Sequence, residues 1–162
     1  MSSSDAASGD DGDAVTLRGC RFPRRLYYDV VHHMWYDPLP DGTVRVGMTA
    51  VGPALAGNNI FAFTPKRVGR DIEKGRSCAT IESSKWVGPA RVAFDGVVEV
   101  VNEALIDNPT ALVDDPYDAG WMLIARPTGA DALAGLVTGD GVEPAYTQWM
   151  DDNDFPGCGV ST

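Results

Sequence analysis

Lys85 sits in Thr80-Ile81-Glu82-Ser83-Ser84-Lys85-Trp86-Val87-Gly88-Pro89, between two short strand-like runs. Cys78 to Ile81 lie before it and Ala90 to Phe94 after it. Serines on one side and Gly88-Pro89 on the other are turn chemistry, so the lysine is predicted at a hairpin tip. A long flexible stem with a hydrated ammonium there suits covalent attachment of a group, with a plain surface lysine as the bland alternative. An ordinary lysine titrates near ~10.4, so an enzyme acylating it must first remove a proton. Schiff-base catalysis needs an apolar pocket or a second cation to lower that value, and neither is evident beside Lys85.

Other residues could do chemistry. His32 and His33 are adjacent. Read as part of a strand they point to opposite faces, so both do not readily bind one metal, and a core or cleft histidine is the expectation. Cys20, Cys78 and Cys158 are odd in number and widely spaced. That is neither a disulfide framework nor a zinc pattern, and reduced thiols in a reducing compartment are expected. The plain reading of all three is small buried hydrophobes; Cys158, in a Gly-rich tail, could also be exposed and reactive. Sulfur exchange between Cys20 or Cys158 and a group on Lys85 is a lesser reading.

The elements that must position these residues are short. Eighteen glycines and eleven prolines favour strands and turns over long helices. Strands are predicted at residues 26–31, from His33, at 43–48, 59–63, 97–101 and 121–125, with Asp41-Gly42 as a hairpin turn. Val44, Val46 and Met48 alternate inward, with Arg45 outward. Short helices are expected at residues 50–56 and after Asn108-Pro109, with weak helical patterns at 130–137 and 141–150. The count is about seven or eight strands. Residues 1–15 read as a disordered acidic tail, 16–150 as one domain and 151–162 as an acidic, Gly-rich tail.

Thirteen basic against twenty-three acidic residues give a net charge of −10, which argues against nucleic acid and anionic membranes as partners. No apolar run is long enough to span a bilayer and no basic-then-apolar leader is visible, so the expectation is a cytoplasmic monomer. A basic loop, with Lys66, Arg67, Arg70, Lys74 and Arg76, is either a solvated connector or a face for an acidic partner. Arg18, Arg21, Arg24 and Arg25 form a second cluster, read first as solvated surface or a partner for the acidic tail.

Ordered motifs carry a resemblance. Glu82-Ser83-Ser84-Lys85, His33-Met34-Trp35, Asp41 to Thr49, Val101-Asn102-Glu103-Ala104-Leu105, Asn108-Pro109 and Asp115 to Trp121 follow the order and spacing of the glycine cleavage system H protein. The resemblance covers about residues 27–127. It implies a mainly β, lipoyl/biotinyl-type flattened barrel (a barrel-sandwich hybrid) of two antiparallel sheets with short peripheral helices, including C-terminal ones. It also implies lipoate joined as an amide to Lys85 by a lipoate-protein ligase, in a non-catalytic carrier. Glu82 would then steer the ligase, with a charge that keeps the hairpin soluble as the bland alternative, and His33 would line the arm's resting cleft. Ser83, Ser84 and Trp86 complete the candidate lipoyl-binding residues, with Trp86 packing either on the arm or a partner, or back on the hairpin. Biotin sites flank their lysine with methionines, and this one does not.

The sequence departs from that family's pattern at Ser84, Trp86 and Met34, the last in place of a glutamate near the aminomethyl-bearing arm. Residues 78–91 and 63–70 are similar to H-protein-like lipoate-binding proteins of bacterial sulfur oxidation. That likeness implies partners in a heterodisulfide-reductase-like complex and other sulfur-transfer enzymes, with the arm carrying sulfur. A glycine cleavage H protein carrying an aminomethyl group is the alternative, and an unmodified interaction module is a further one.

Overall fold

The computed structural model describes residues 13–158. The acidic stretch 1–12 and residues 159–162 lie outside the described residues. The order is β1 (Ala14–Leu17), β2 (Cys20–Pro23), β3 (Tyr27–Asp29), β4 (Met34–Pro38), β5 (Val44–Met48), α1 (Val51–Leu55) and β6 (Ile60–Pro65). Then follow β7 (Asp71–Ile72), β8 (Ser77–Ser83), β9 (Val87–Arg91), β10 (Gly96–Val101), α2 (Glu103–Asp107), α3 (Ala111–Asp114), β11 (Leu123–Pro127), β12 (Val137–Thr138) and α4 (Val142–Asp152).

The fold is mainly β, with few short helices. A three-stranded sheet runs β9-β8-β6, and a seven-stranded sheet runs β12-β3-β4-β5-β11-β10-β7. The β1-β2 hairpin forms a small third sheet beyond the two expected. All pairings are antiparallel and neither large sheet closes on itself. The expected alternation in β5 holds: Val44, Val46 and Met48 are buried and Arg45 is half-exposed. The larger core joins Tyr36, Val46, Cys78, Ile81, Phe94, Leu112 and Leu123. A second core gathers Phe22, Tyr28, Trp35, Val51, Tyr146 and Met150, where Phe22 stacks on Tyr146 at 4.3 Å between ring centroids.

Four expectations differ. Cys20 and Cys158 are joined by a disulfide, with Cα atoms 5.1 Å apart. Their wide spacing in sequence concealed the pair, because the chain returns to its start only after 138 residues. The premise of reduced thiols, on which the cytoplasmic expectation leaned, therefore holds only for buried Cys78. The tails are also shorter than read. Ala14 and Val15 belong to β1, α4 runs through Asp152, and Phe155 is buried against the second core. Arg18 fastens this end by donating to the Phe155 carbonyl at 2.6 Å and pairing with Asp151 at 2.5 Å.

Residues 130–137 are not helical. They form turns ending in β12, which pairs with β3. Gly129 and Gly135 bracket too short a run for weak periodicity to outweigh the helix cost of glycine, about 1 kcal/mol each. Finally, His33 does not begin a strand. Its φ of +59 puts it in a turn between β3 and β4, so opposite-face alternation does not apply to the histidine pair.

Candidate functional site

The hairpin around Lys85 is present and tight. Strands β8 and β9 pair from Val87↔Glu82 to Ala90↔Ala79, leaving Ser84, Lys85 and Trp86 as the connection. The Ser83 N–H donates to the Trp86 carbonyl at 2.7 Å. The Ser83 hydroxyl accepts the Lys85 and Trp86 N–H groups at 3.2 and 3.0 Å. One short polar side chain thus satisfies two turn amides, a serine's usual service in turns. Ser84 is exposed, and its hydroxyl accepts from the Asn59 amide at 3.2 Å, tying the tip to the start of β6. Glu82 is half-buried on β8, in register with Val87 and Ala62.

Lys85 is exposed, and its stem lies over Gly57 just beyond α1. A Cβ on Gly57 would come within 3.1 Å of Lys85 Cδ, and the backbone there has φ +89. Trp86 is 41% exposed and folds its indole over Gly88. A Cβ at Gly88 would lie 2.1 Å from Trp86 Cζ2, so only glycine admits the ring. The ring also lines a cavity of about 200 Å³ together with Val31, His32, His33, Met48, Gly52, Leu55, Ala56 and Pro89. No carboxylate lines that space.

His33 is 8% exposed. Its Nδ1 lies 3.3 Å from the Tyr146 hydroxyl and its ring meets Trp149 edge-on at 4.4 Å. Burial pulls its pKa down to about 4, with Asp29 acting weakly in the opposite direction, so the imidazole is neutral at pH 7. His32 lines the same cavity and its Nδ1 sits 2.9 Å from Asp29 Oδ2. Met34 does not line the cavity. It is fully buried in the main core, and its register partner Met48 reaches the cavity instead. Cys20 and Cys158 are bonded to each other, and burial pushes the Cys78 thiol up to about 12.

The structure thus brings Lys85, Trp86 and His33 to one region. It adds Leu55 of α1 with Ala56 and Gly57 just beyond it, and Tyr146 and Trp149 from α4, none of which the sequence singled out. The helical pattern at 141–150 was visible, but nothing local told which residue it would touch. An exposed primary amine beside a small, largely apolar cavity fits an amide-linked hydrocarbon arm ending in an apolar ring. Among the described residues no three His, Cys, Asp or Glu side chains cluster as ligands for a metal ion.

Comparison with known proteins agrees with this geometry. The chain is 37% identical over 143 residues to glycine cleavage system H protein 2 of Aquifex aeolicus, covering 88% of each. It is 44% identical over 125 residues to H protein 5 of the same organism, covering 75% of this chain and 83% of that one. The crystal structure of a glycine cleavage system H protein from Mycobacterium marinum superposes with a TM-score of 0.67 at 29% identity, over 83% of this chain and all of that one. The family model for the glycine cleavage H-protein matches residues 26–148, and with relatives this similar along most of its length the chain belongs to that family, whose members are non-catalytic carriers of lipoate bound to a lysine.

Proposed function

We propose that Lys85 is the lipoylated residue and that the chain carries the aminomethyl group of glycine cleavage on that arm. The observation that carries the attachment is the exposed Lys85 amine on a hairpin tip fastened by Ser83. The names of the relatives, all glycine cleavage H proteins, support the cargo. The arm supplies a disulfide that opens to a dithiol. The chain's own residues do the rest. Ser83 fixes the tip, Gly57 gives the stem a bed, Ser84 anchors to Asn59, and Glu82 offers the ligase an acidic landmark three residues before the lysine. Trp86 and neutral His33 give the arm an apolar wall to rest against. Tethering then raises the arm's effective concentration at each docked enzyme.

Intact mass tests the attachment. Protein made with its cognate ligase gains one lipoyl group, and Lys85→Ala gains none while remaining folded. Wild type that never gains the mass sinks the carrier reading.

A second cargo, sulfur passed among enzymes of a heterodisulfide-reductase-like complex, is favoured by one observation. The cavity beside the arm has no carboxylate to hold an aminomethyl ammonium, and burying an unpaired cation is costly. In that reading a thiolate of the reduced arm attacks a sulfane sulfur and the donor's thiolate leaves. Oxidised (disulfide) carrier offered glycine with its decarboxylase, and separately reduced carrier offered a sulfane donor, distinguishes the two by the adduct mass: the decarboxylated carbon attacks one sulfur of the disulfide as the S–S bond breaks, whereas a thiolate of the dithiol takes the sulfane sulfur. Aminomethyl alone supports glycine cleavage; a persulfide or trisulfide alone supports sulfur transfer.

A further inference from the structure

The two ends of the Cys20–Cys158 bond differ. Cys20 is fully buried at the start of β2, whereas Cys158 is half-exposed on the strap that follows α4. A disulfide opens when a thiolate attacks one sulfur and the other leaves. A thiolate from outside meets Cys158 first, so Cys20 is the leaving group. An acceptor is in place for it: the Cys20 sulfur lies 4.0 Å from the Arg18 carbonyl, to which a thiol S–H donates. Cys78 takes no part. It is enclosed in the main core, and burial pushes its thiol up to about 12.

The strap does not hang on this bond alone. Arg18 donates to the Phe155 carbonyl at 2.6 Å and the Met150 carbonyl at 3.2 Å, and pairs with Asp151. The Cys158 N–H donates to the Arg18 carbonyl at 2.9 Å. Phe155 is buried and meets Trp149 at 5.5 Å between ring centroids. A glycine precedes each cysteine, and the backbones cross closely there. A Cβ on Gly19 would stand 2.8 Å from the Cys158 carbonyl oxygen, and one on Gly157 would collide with the Arg18 carbonyl. With the sulfur bond open, these contacts keep the two thiols side by side and able to close again. Such double fastening suits a couple that opens and closes more than a staple whose loss frees the chain end.

The same strap stands behind the arm's cavity. His33 lines that cavity, its ring meets Trp149 at 4.4 Å, and Trp149 meets Phe155, three residues before Cys158. Two ring contacts therefore link the cavity wall to the strap. A reduced lipoyl arm is a dithiol, and its tether raises its effective concentration at surfaces within reach.

We propose that Cys20–Cys158 is a redox-active site whose substrate is a dithiol, and that the carrier's own reduced arm supplies it. One arm thiolate attacks the Cys158 sulfur, and the Cys20 sulfur leaves with the bonding electrons and takes up a proton. The second arm thiolate then attacks the arm sulfur now bonded to Cys158. The arm's disulfide forms, and Cys158 leaves and is protonated. The arm loses two electrons and two protons, and the cysteine pair gains them. The arm thereby returns to its disulfide form while two electrons stay in the carrier. The proposal rests on the carrier reading above.

The test uses full-length lipoylated protein without oxygen, with excess NADH and a dihydrolipoyl dehydrogenase to reduce the arm. Each NADH delivers two electrons, so its consumption counts the couples reduced. Wild type should consume two NADH per chain, one for the arm and one for Cys20–Cys158, and mass mapping after alkylation should find both cysteines as thiols. Cys20→Ser/Cys158→Ser should consume one. Lys85→Ala should consume none and keep its Cys20–Cys158 bond. Reduced wild type should keep the amides of β5 and β11 protected from hydrogen exchange, and lipoamide added after NADH is removed should restore the bond. One NADH per wild-type chain with the bond intact overturns the proposal. Loss of the bond in Lys85→Ala overturns it too, because the arm is then not the reductant. Loss of protection in β5 and β11 on reduction makes the bond a structural staple and also overturns it. Wild type that never gains the lipoyl mass instead overturns the carrier reading, and the arm as donor with it.

Discussion

The stem of Lys85 rests on Gly57, a residue 28 positions earlier in the chain, with Lys85 Cδ only 3.1 Å from where a Gly57 Cβ would stand. Gly57 follows α1 in the left-handed region, at φ +89, where side chains are strained. Gly57→Ala should therefore cost about 1–2 kcal/mol of stability and displace the lysine stem. Thermal unfolding reads the first effect. A slower rate of lipoyl-mass gain at matched folded fraction reads the second.

The Ser83 hydroxyl holds two amides of the tip and is 4% exposed. Ser83→Ala leaves both donors without that acceptor and should cost about 1 kcal/mol. The larger change should be local. Hydrogen exchange at Lys85 and Trp86 should accelerate several-fold while the amides of β5 and β11 stay protected. Equal protection at the tip in both proteins would refute the role of this serine.

His33 gives stability a pH dependence. Its folded value, about 4, lies below the ordinary 6.5, so between those pH values the unfolded chain binds more protons. Stability should be complete above about pH 6.5 and fall as pH drops toward 4, by up to about 3 kcal/mol. His33→Asn suits the positive φ at this position and removes the titration. Denaturant unfolding of both proteins from pH 4 to 7 should show the slope in wild type and a shallower one in the variant.

The Cys20–Cys158 bond closes a loop spanning 138 residues and should stabilise the fold by about 2–4 kcal/mol. Cys158→Ser should lower the melting temperature, and reductant should then have no further effect on it. Thiol titration gives a separate check. Native protein should show no reactive thiol, because Cys78 is buried with its thiol pushed up to about 12. Unfolded without reductant it should show one thiol, and with reductant three, matching the cysteine count.

Local chemistry determined the parts of this molecule that depend on near neighbours. The period-two run Val44, Val46, Met48 declares a half-buried strand, since alternate side chains must share a face. Serines and Gly88-Pro89 around Lys85 declare a hairpin, since these residues suit turns at low cost. The spaced motifs carried the family. What the chain places far apart was settled only by packing. His33 touches Tyr146 across 113 residues, Cys20 meets Cys158 across 138, and Lys85 finds its bed on Gly57. A side chain's type and period tell which way it faces within its own element. Which surface it then meets depends on how the sheets and α4 close around the two cores, and that is a property of all the contacts at once.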